Sequence, residues 1–229
     1  MKNFIKPFIS LLLIISILCS GSVLSFAANA ANIATQADAS TASDTDEEIV
    51  ATVSLCSCIY LFPISGHTWI YVHNRSDSPI NVGLYEVPVG QGVSMGCFAF
   101  TAYDGWGIYY NLEAYRENKN DNMDTHWSIS KDITQSELEK LNKTLADFPN
   151  TWNPVINCAT FAFTVWDSVS GDFYFSLLIP AISQFMIILG GGKRGVLEMY
   201  YPNQDQVFRQ RGNGSDAYLE HVGERTISR

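Results

Sequence analysis

The apolar residues of this chain change their spacing partway along, and that change restricts the fold more than any single motif. From residue 50 to residue 115 they fall in strand-length runs rich in β-branched and aromatic residues. Val50–Phe62, Thr68–His73, Ile80–Val87, Val93–Thr101 and Gly107–Tyr115 each read as a strand, with turn signals at Pro63–Gly66, Asn74–Pro79 and Asp104-Gly105 between them. Ile80–Val87 is expected to pair with Thr68–His73 as a hairpin. Past a polar loop at Asn118–Asp132 the period becomes helical. Thr134-Gln135-Ser136-Glu137 is a capping box, and Leu138, Leu141 and Leu145 follow it on one face. A second helix is expected over Asn157–Val169, NCATFAFTVWDSV, where Phe161, Ala162, Val165, Trp166 and Val169 recur at three and four residues up to Gly171. Strands followed by helices predict an α+β domain, with an antiparallel sheet packed against helices.

Phe173–Leu189 is almost wholly apolar and is followed by Lys193 and Arg194. It falls short of the roughly 20 residues of a membrane span and contains Pro180, Ser183 and Gln184, so a buried helix with Pro180 in its first turn and Gly190 at its end is expected over a membrane tether. Val196–Tyr201 and Gln206–Arg211 read as closing strands.

The N-terminus reads as a targeting segment. Lys2 and Lys6 precede the apolar run Phe8–Leu18, and Ala28-Asn29-Ala30 offers a small-x-small cleavage site, with Ala27 as second choice. Leu18 before Cys19 is not the small residue that lipoprotein processing wants. The expected organisation is a signal peptide over residues 1–30, a flexible linker rich in Ala, Ser, Thr and Asp over 31–48, and one domain over 49–229, exported and bacterial. A net charge of −9 with no basic stripe argues against nucleic acid and against docking on anionic lipid.

Cleavage would leave Cys56, Cys58, Cys97 and Cys158. An oxidising compartment permits a bridge from Cys56 or Cys58 to Cys97, although small buried thiols fit the pattern equally well. Cys158 differs in its place. At the first turn of a helix it meets exposed N–H groups and the positive end of the helix dipole, which favour the thiolate.

A thiolate nucleophile needs a proton acceptor and a group that orients it. Of the four histidines, His67 opens the Trp69–Val72 strand after Gly66, His73 sits at its far end, His126 falls in the polar loop, and His221 is near the C-terminus. Glu113, an acid flanked by aromatics within an expected strand, needs a partner of its own. Gly92-Val93-Ser94-Met95-Gly96 matches the serine-hydrolase pattern G-x-S-x-G, but strand-like residues follow it instead of a helix, so it reads as a turn entering a strand. Gly190-Gly191-Gly192-Lys193 lacks the spacing of a phosphate loop. His67 and His73, even with Asp77 nearby, lack a convincing third metal ligand at a matched position, and no cofactor motif is present.

Three segments in this order, Gly66-His67-Thr68-Trp69-Ile70-Tyr71-Val72, Tyr110-Asn111-Leu112-Glu113-Ala114 and Asn157-Cys158-Ala159-Thr160-Phe161-Ala162, resemble the permuted papain-like amidase superfamily. Its members include the NlpC-type cell-wall endopeptidases and lecithin–retinol acyltransferase. Pro180-Ala181 ahead of an apolar helix adds to the resemblance, which covers Ser65–Met186. It implies a papain-like fold in circularly permuted order, the His strand before the Cys helix. It also implies Cys158 as nucleophile, His67 as general base and acid, Glu113 as the third polar residue, and helix N-terminal N–H groups around the oxyanion. Asn81 or Asn111 could hold the third position instead.

The function expected on this basis is an exported thiol hydrolase that cleaves an amide or ester through a Cys acyl-enzyme, with peptide or acyl substrates and cell-wall peptides first among them. The alternatives are an acyltransferase, or a secreted binding protein on the same fold. In the binding alternative Trp69, Tyr71, Trp106, Tyr109 and Tyr110 would line a ligand groove.

Overall fold

The computed structural model describes residues 47–61, 65–99, 105–119, 126–171, 180–195 and 197–222. Contacts divide the chain into Met1–Asp46 and Glu47–Arg229, and every described residue belongs to the second unit. The signal peptide, the body of the linker, the Pro63 turn, residues 120–125 of the polar loop and the first part of the Phe173–Leu189 run lie outside the described residues.

The strands are β1 (Ile49–Leu61), β2 (Ser65–Asn74), β3 (Ile80–Val82), β4 (Tyr85–Val87), β5 (Gly92–Phe98), β6 (Gly107–Tyr110), β7 (Trp127–Thr134), β8 (Lys193–Arg194), β9 (Phe208–Arg211) and β10 (Tyr218–His221). The helices are α1 (Leu112–Asn118), α2 (Gln135–Asp147), α3 (Cys158–Ser170) and α4 (Pro180–Leu189). Eight strands form one antiparallel sheet in the order β10-β9-β6-β5-β2-β1-β7-β8, so the class is α+β.

The period of two sorts the side chains of this sheet into two apolar layers. Leu55, Ile70, Val72, Val93, Met95, Ile108 and Tyr110 face one way and bury α2, α3 and Ile187 of α4. Cys56, Cys58, Trp69, Tyr71, Phe98 and Tyr109 face the other way, toward Leu112 and Ala114 of α1 and toward Met199, Val207 and Val222. Helices thus cover one face, and α1 with the C-terminal strand connections covers the other. The central strands are buried on both sides, which is why they read as near-continuous apolar runs.

Four expectations are corrected. Ile80–Val87 does not pair with β2, whose neighbours are β1 and β5; it folds back on itself as the β3–β4 hairpin. The Asn142 amide, which accepts the Gly83 N–H at 2.8 Å and donates to the Asn81 carbonyl at 2.8 Å, ties that hairpin to α2. The strand expected over Gly107–Tyr115 ends at Tyr110, because Asn111 takes a left-handed conformation (φ 67°) that turns the chain out of the sheet into α1. The C-terminal part of the expected polar loop is β7, whose hydrophilic residues pair across to β1 through Thr52–Asp132 at 2.6 Å and Ser54–Ser130 at 2.8 Å. Residues 197–201 form no strand.

The expected caps are in place. Glu137 accepts the Thr134 N–H at 3.1 Å at the start of α2, and α4 begins at Pro180. Gly171, left-handed at φ 72°, closes α3.

Candidate active site

Cys158 is the first residue of α3. Asn157 caps that helix, its side-chain oxygen accepting the N–H of Ala159 at 2.9 Å and of Thr160 at 3.2 Å. The apolar face of α3 is anchored by Phe161, Ala162, Val165 and Trp166, so the helix start is pinned against the sheet.

It meets the sheet at an opening. The ladder between β2 and β5 runs from His73↔Gly92 to Ile70↔Met95, while β2 continues back to Ser65 on β1, and β5 continues to Phe98 on β6. The sulfur of Cys158 enters there. It accepts a hydrogen bond from the Thr68 N–H, receives the Ala159 N–H, and is hydrogen-bonded to the His67 imidazole.

His67 reaches the site from β2, on the same face as Trp69. Its Nε2 lies 3.0 Å from Glu113 Oε1, which leaves Nδ1 for the thiol. The imidazole lies tilted by 31° against Phe98, with ring centroids 4.2 Å apart, and stacks more distantly on Trp69 at 5.8 Å. Glu113 comes from the first turn of α1, not from a strand, and is fully buried. Its second oxygen, Oε2, accepts the Ser94 hydroxyl at 2.9 Å, and Ser94 Oγ accepts the Ala114 N–H at 3.2 Å.

Of the residues weighed for the third position, Glu113 alone contacts His67 among the described residues. Asn111 directs its amide to the Gln206 carbonyl at 2.9 Å, and Asn81 is exposed on β3. His126 is buried elsewhere, with Nδ1 3.3 Å from Glu117 Oε2, and His221 is exposed on β10.

The local electrostatics separate the thiols. Burial opposes ionisation of Cys158, but the hydrogen bond and charge of His67, with the Thr68 and Ala159 N–H groups, outweigh it and hold the thiol below its ordinary 9.0. Burial likewise opposes protonation of His67, yet the bonds from Cys158 and Glu113 and their charges raise it from 6.5 to about 9. A thiolate facing an imidazolium is the form this geometry favours. Cys97, raised by burial and by the Cys158 charge, and Cys56, raised by burial and by Glu117, Glu113 and Cys58, go the other way. The four described thiols, Cys56, Cys58, Cys97 and Cys158, are free and buried, so of the two alternatives weighed for Cys56, Cys58 and Cys97 the structure has the buried thiols and not a bridge.

Sequence reasoning passed over the supporting residues. On β5, Ser94, Gly96 and Phe98 share the face that looks at His67. A Cβ at Gly96 would overlap Glu113 Oε1 and lie 2.7 Å from His67 Nε2, so only glycine lets the two groups meet across this strand. The G-x-S-x-G match had already singled out two of these residues, for a different chemistry. Ser94 is buried within a continuing strand and does not sit on a strand-to-helix elbow. Trp69, Tyr71, Tyr109 and Tyr110 are core residues, and of the five aromatics proposed for a groove only Trp106 is exposed.

No protein-family model, no curated protein and no solved structure matches this chain. No described helix is long and apolar enough to cross a membrane.

Proposed function

We propose that the chain is an exported thiol hydrolase of permuted papain-like type that cleaves an amide or ester bond through a Cys158 acyl-enzyme. The observation that carries this reading is the continuous hydrogen-bonded series from the Cys158 sulfur through His67 to buried Glu113, opening at a capped helix N-terminus. Its order along the chain, histidine strand before cysteine helix, is that of the permuted amidases the sequence resembles. The support is geometric and electrostatic, since the chain has no matched relative.

In this mechanism the Cys158 thiolate attacks the substrate carbonyl carbon. The Cys158 N–H at the start of α3 donates to the oxyanion. The C–N or C–O bond then breaks as the His67 imidazolium gives its proton to the leaving amine or alcohol. Neutral His67 next takes a proton from water, the resulting hydroxide attacks the thioester carbon, and the acid product departs as the thiolate and imidazolium are restored. Glu113 holds Nε2, keeping the ring aimed at sulfur and stabilising its charged form.

Cell-wall peptides are the substrates to test first, because an exported amidase of this kind meets them; an acyltransferase would present the acyl-enzyme to a different acceptor. Incubation with wall peptides followed by mass spectrometry should trap an acyl adduct on Cys158 and show new amine ends, and Cys158→Ser should abolish both. Absence of any adduct across peptide, ester and lipid acyl donors would sink the hydrolase reading. A second reading, a non-catalytic protein retaining the fold, is favoured by the small exposure of Cys158 (9%) and His67 (5%).

A further inference from the structure

The carboxylate of Glu113 is held from two sides, and the second side belongs to β5. Ser94 is fully buried, and its backbone carbonyl accepts the Asn111 N–H at 2.7 Å, at the left-handed residue where α1 begins. Its hydroxyl oxygen accepts the Ala114 N–H, so the hydroxyl proton is directed to Glu113 Oε2. The serine thus joins the backbone of α1 to the one acid on α1 that faces His67. We infer that Ser94 is a positioning residue for the proposed thiol hydrolase, its hydroxyl keeping the Glu113 carboxylate turned toward the imidazole. The inference deepens the hydrolase reading and rests on it for its meaning in turnover, but not for its effect on His67.

A buried carboxylate stays charged only where donors replace the water it has lost. Glu113 has two such donors: the His67 ring N–H on Oε1 and the Ser94 hydroxyl on Oε2. Without the hydroxyl, Oε2 loses its donor, the carboxylate is free to turn away from His67, and the imidazolium loses its stabilisation. The titratable groups packed around this pair are Cys158 from α3, Cys97 from β5 and Cys56 from β1, with Glu117 one turn further along α1 and Cys58 opposite His67 in the β1–β2 register. None of them supplies a donor to Oε2 among the described contacts. Glu113 therefore depends on Ser94 for that oxygen.

The test is the titration of His67 in the full chain, followed by NMR with labelled histidine, in the parent and in Ser94→Ala, Ser94→Cys and Ser94→Thr. Cysteine keeps the size of serine and donates only weakly; threonine keeps the hydroxyl. The His67 midpoint, about 9 in the parent, should fall by about one pH unit or more in Ser94→Ala and Ser94→Cys and return toward the parent value in Ser94→Thr. The alkaline limb of any Cys158-dependent turnover should move by the same amount. A folded Ser94→Ala or Ser94→Cys with the parent midpoint would overturn the inference and leave the serine as packing. Should Ser94→Ala fail to fold, the contrast between cysteine and threonine decides in the same way. A midpoint that falls as expected in a protein with no acyl adduct would support the positioning role and count against the hydrolase reading alone.

Discussion

Two histidine–glutamate pairs hang from α1 one turn apart, and they have different surroundings. Glu113 meets His67 at 3.0 Å, and Glu117 meets His126 at 3.3 Å; all four side chains are buried. Thiols lie near both, Cys158 at the first pair and Cys56 on β1 close to the second. Yet the thiol at the first pair is lowered, while Cys56 is raised by burial and further by Glu117 and Glu113. His126 packs edge-on to Trp69 at 5.3 Å, and Glu117 also accepts the Tyr201 hydroxyl at 3.3 Å, so the second pair is set among aromatic rings. A carboxylate near a thiol raises it; a histidine placed between the two reverses the sign. The helix N-terminus then adds donors that the β1 thiol lacks. The difference lies in direct contact and in the backbone, not in residue type.

The largest test of this contrast is chemical labelling. At pH 7 iodoacetamide should modify Cys158 at least about a hundredfold faster than Cys56 or Cys97, read by peptide mass spectrometry. Equal, slow labelling of the four thiols would remove the distinction altogether.

Exchange of the histidines comes next. His67→Ala should slow Cys158 labelling by about ten- to a hundredfold, each pH unit of thiol shift being a factor of ten. His126→Ala should leave that rate within about twofold while costing on the order of 1–3 kcal/mol of stability in urea denaturation, because a buried ring packed against Glu117 and Trp69 is removed. Similar slowing by both variants would mean that the two pairs act as one unit.

Gly96→Ala probes the crossing point. The added methyl must separate Glu113 from His67, and labelling should slow about tenfold with a loss of about 1–3 kcal/mol in stability. Parent-like labelling in a folded Gly96→Ala would show that the reactive thiol does not need Glu113.

The pH dependence is the finest test. Cys158-dependent turnover should rise through a value below the ordinary 9.0 of a thiol, as the thiolate forms, and fall again near 9 as the imidazolium is lost. His67 is raised from 6.5 in the unfolded chain to about 9 in the folded one. Its charge therefore contributes fully to stability below 6.5, and that contribution fades as pH rises through about 9. His67→Ala should flatten this slope, and His73→Ala, whose histidine is lowered by burial and by Arg75, should not.

Much of this was legible in the residues. The strand-length apolar runs with turn signals between them and the capping box at Thr134 place the central strands and α2, and the spacing of Phe161, Val165 and Val169 places α3. His67, Glu113 and Cys158 were marked by residue type and by order along the chain. What escaped was set by local geometry. Asn111 enters the left-handed region, which no alternation of aromatics reveals, and so a helix begins where a strand was expected. β7 was hidden because its polar residues satisfy one another across the sheet instead of facing an apolar layer. Ser94 and Gly96 were visible only as a motif, and the role of each depends on a partner about twenty or more residues away.

The break in the β2–β5 ladder bears on how an anion survives inside a protein. A buried sulfur with a negative charge lacks the solvation that water would give it. By parting two strands, the sheet releases the Thr68 amide from carbonyl pairing and hands it to the Cys158 sulfur, so a backbone group does the work of solvent. Such a donor has no side chain to mutate and no residue identity to preserve. Substitution at Thr68 by anything but proline would leave it in place, whereas closing the strands by one more pair would take it away.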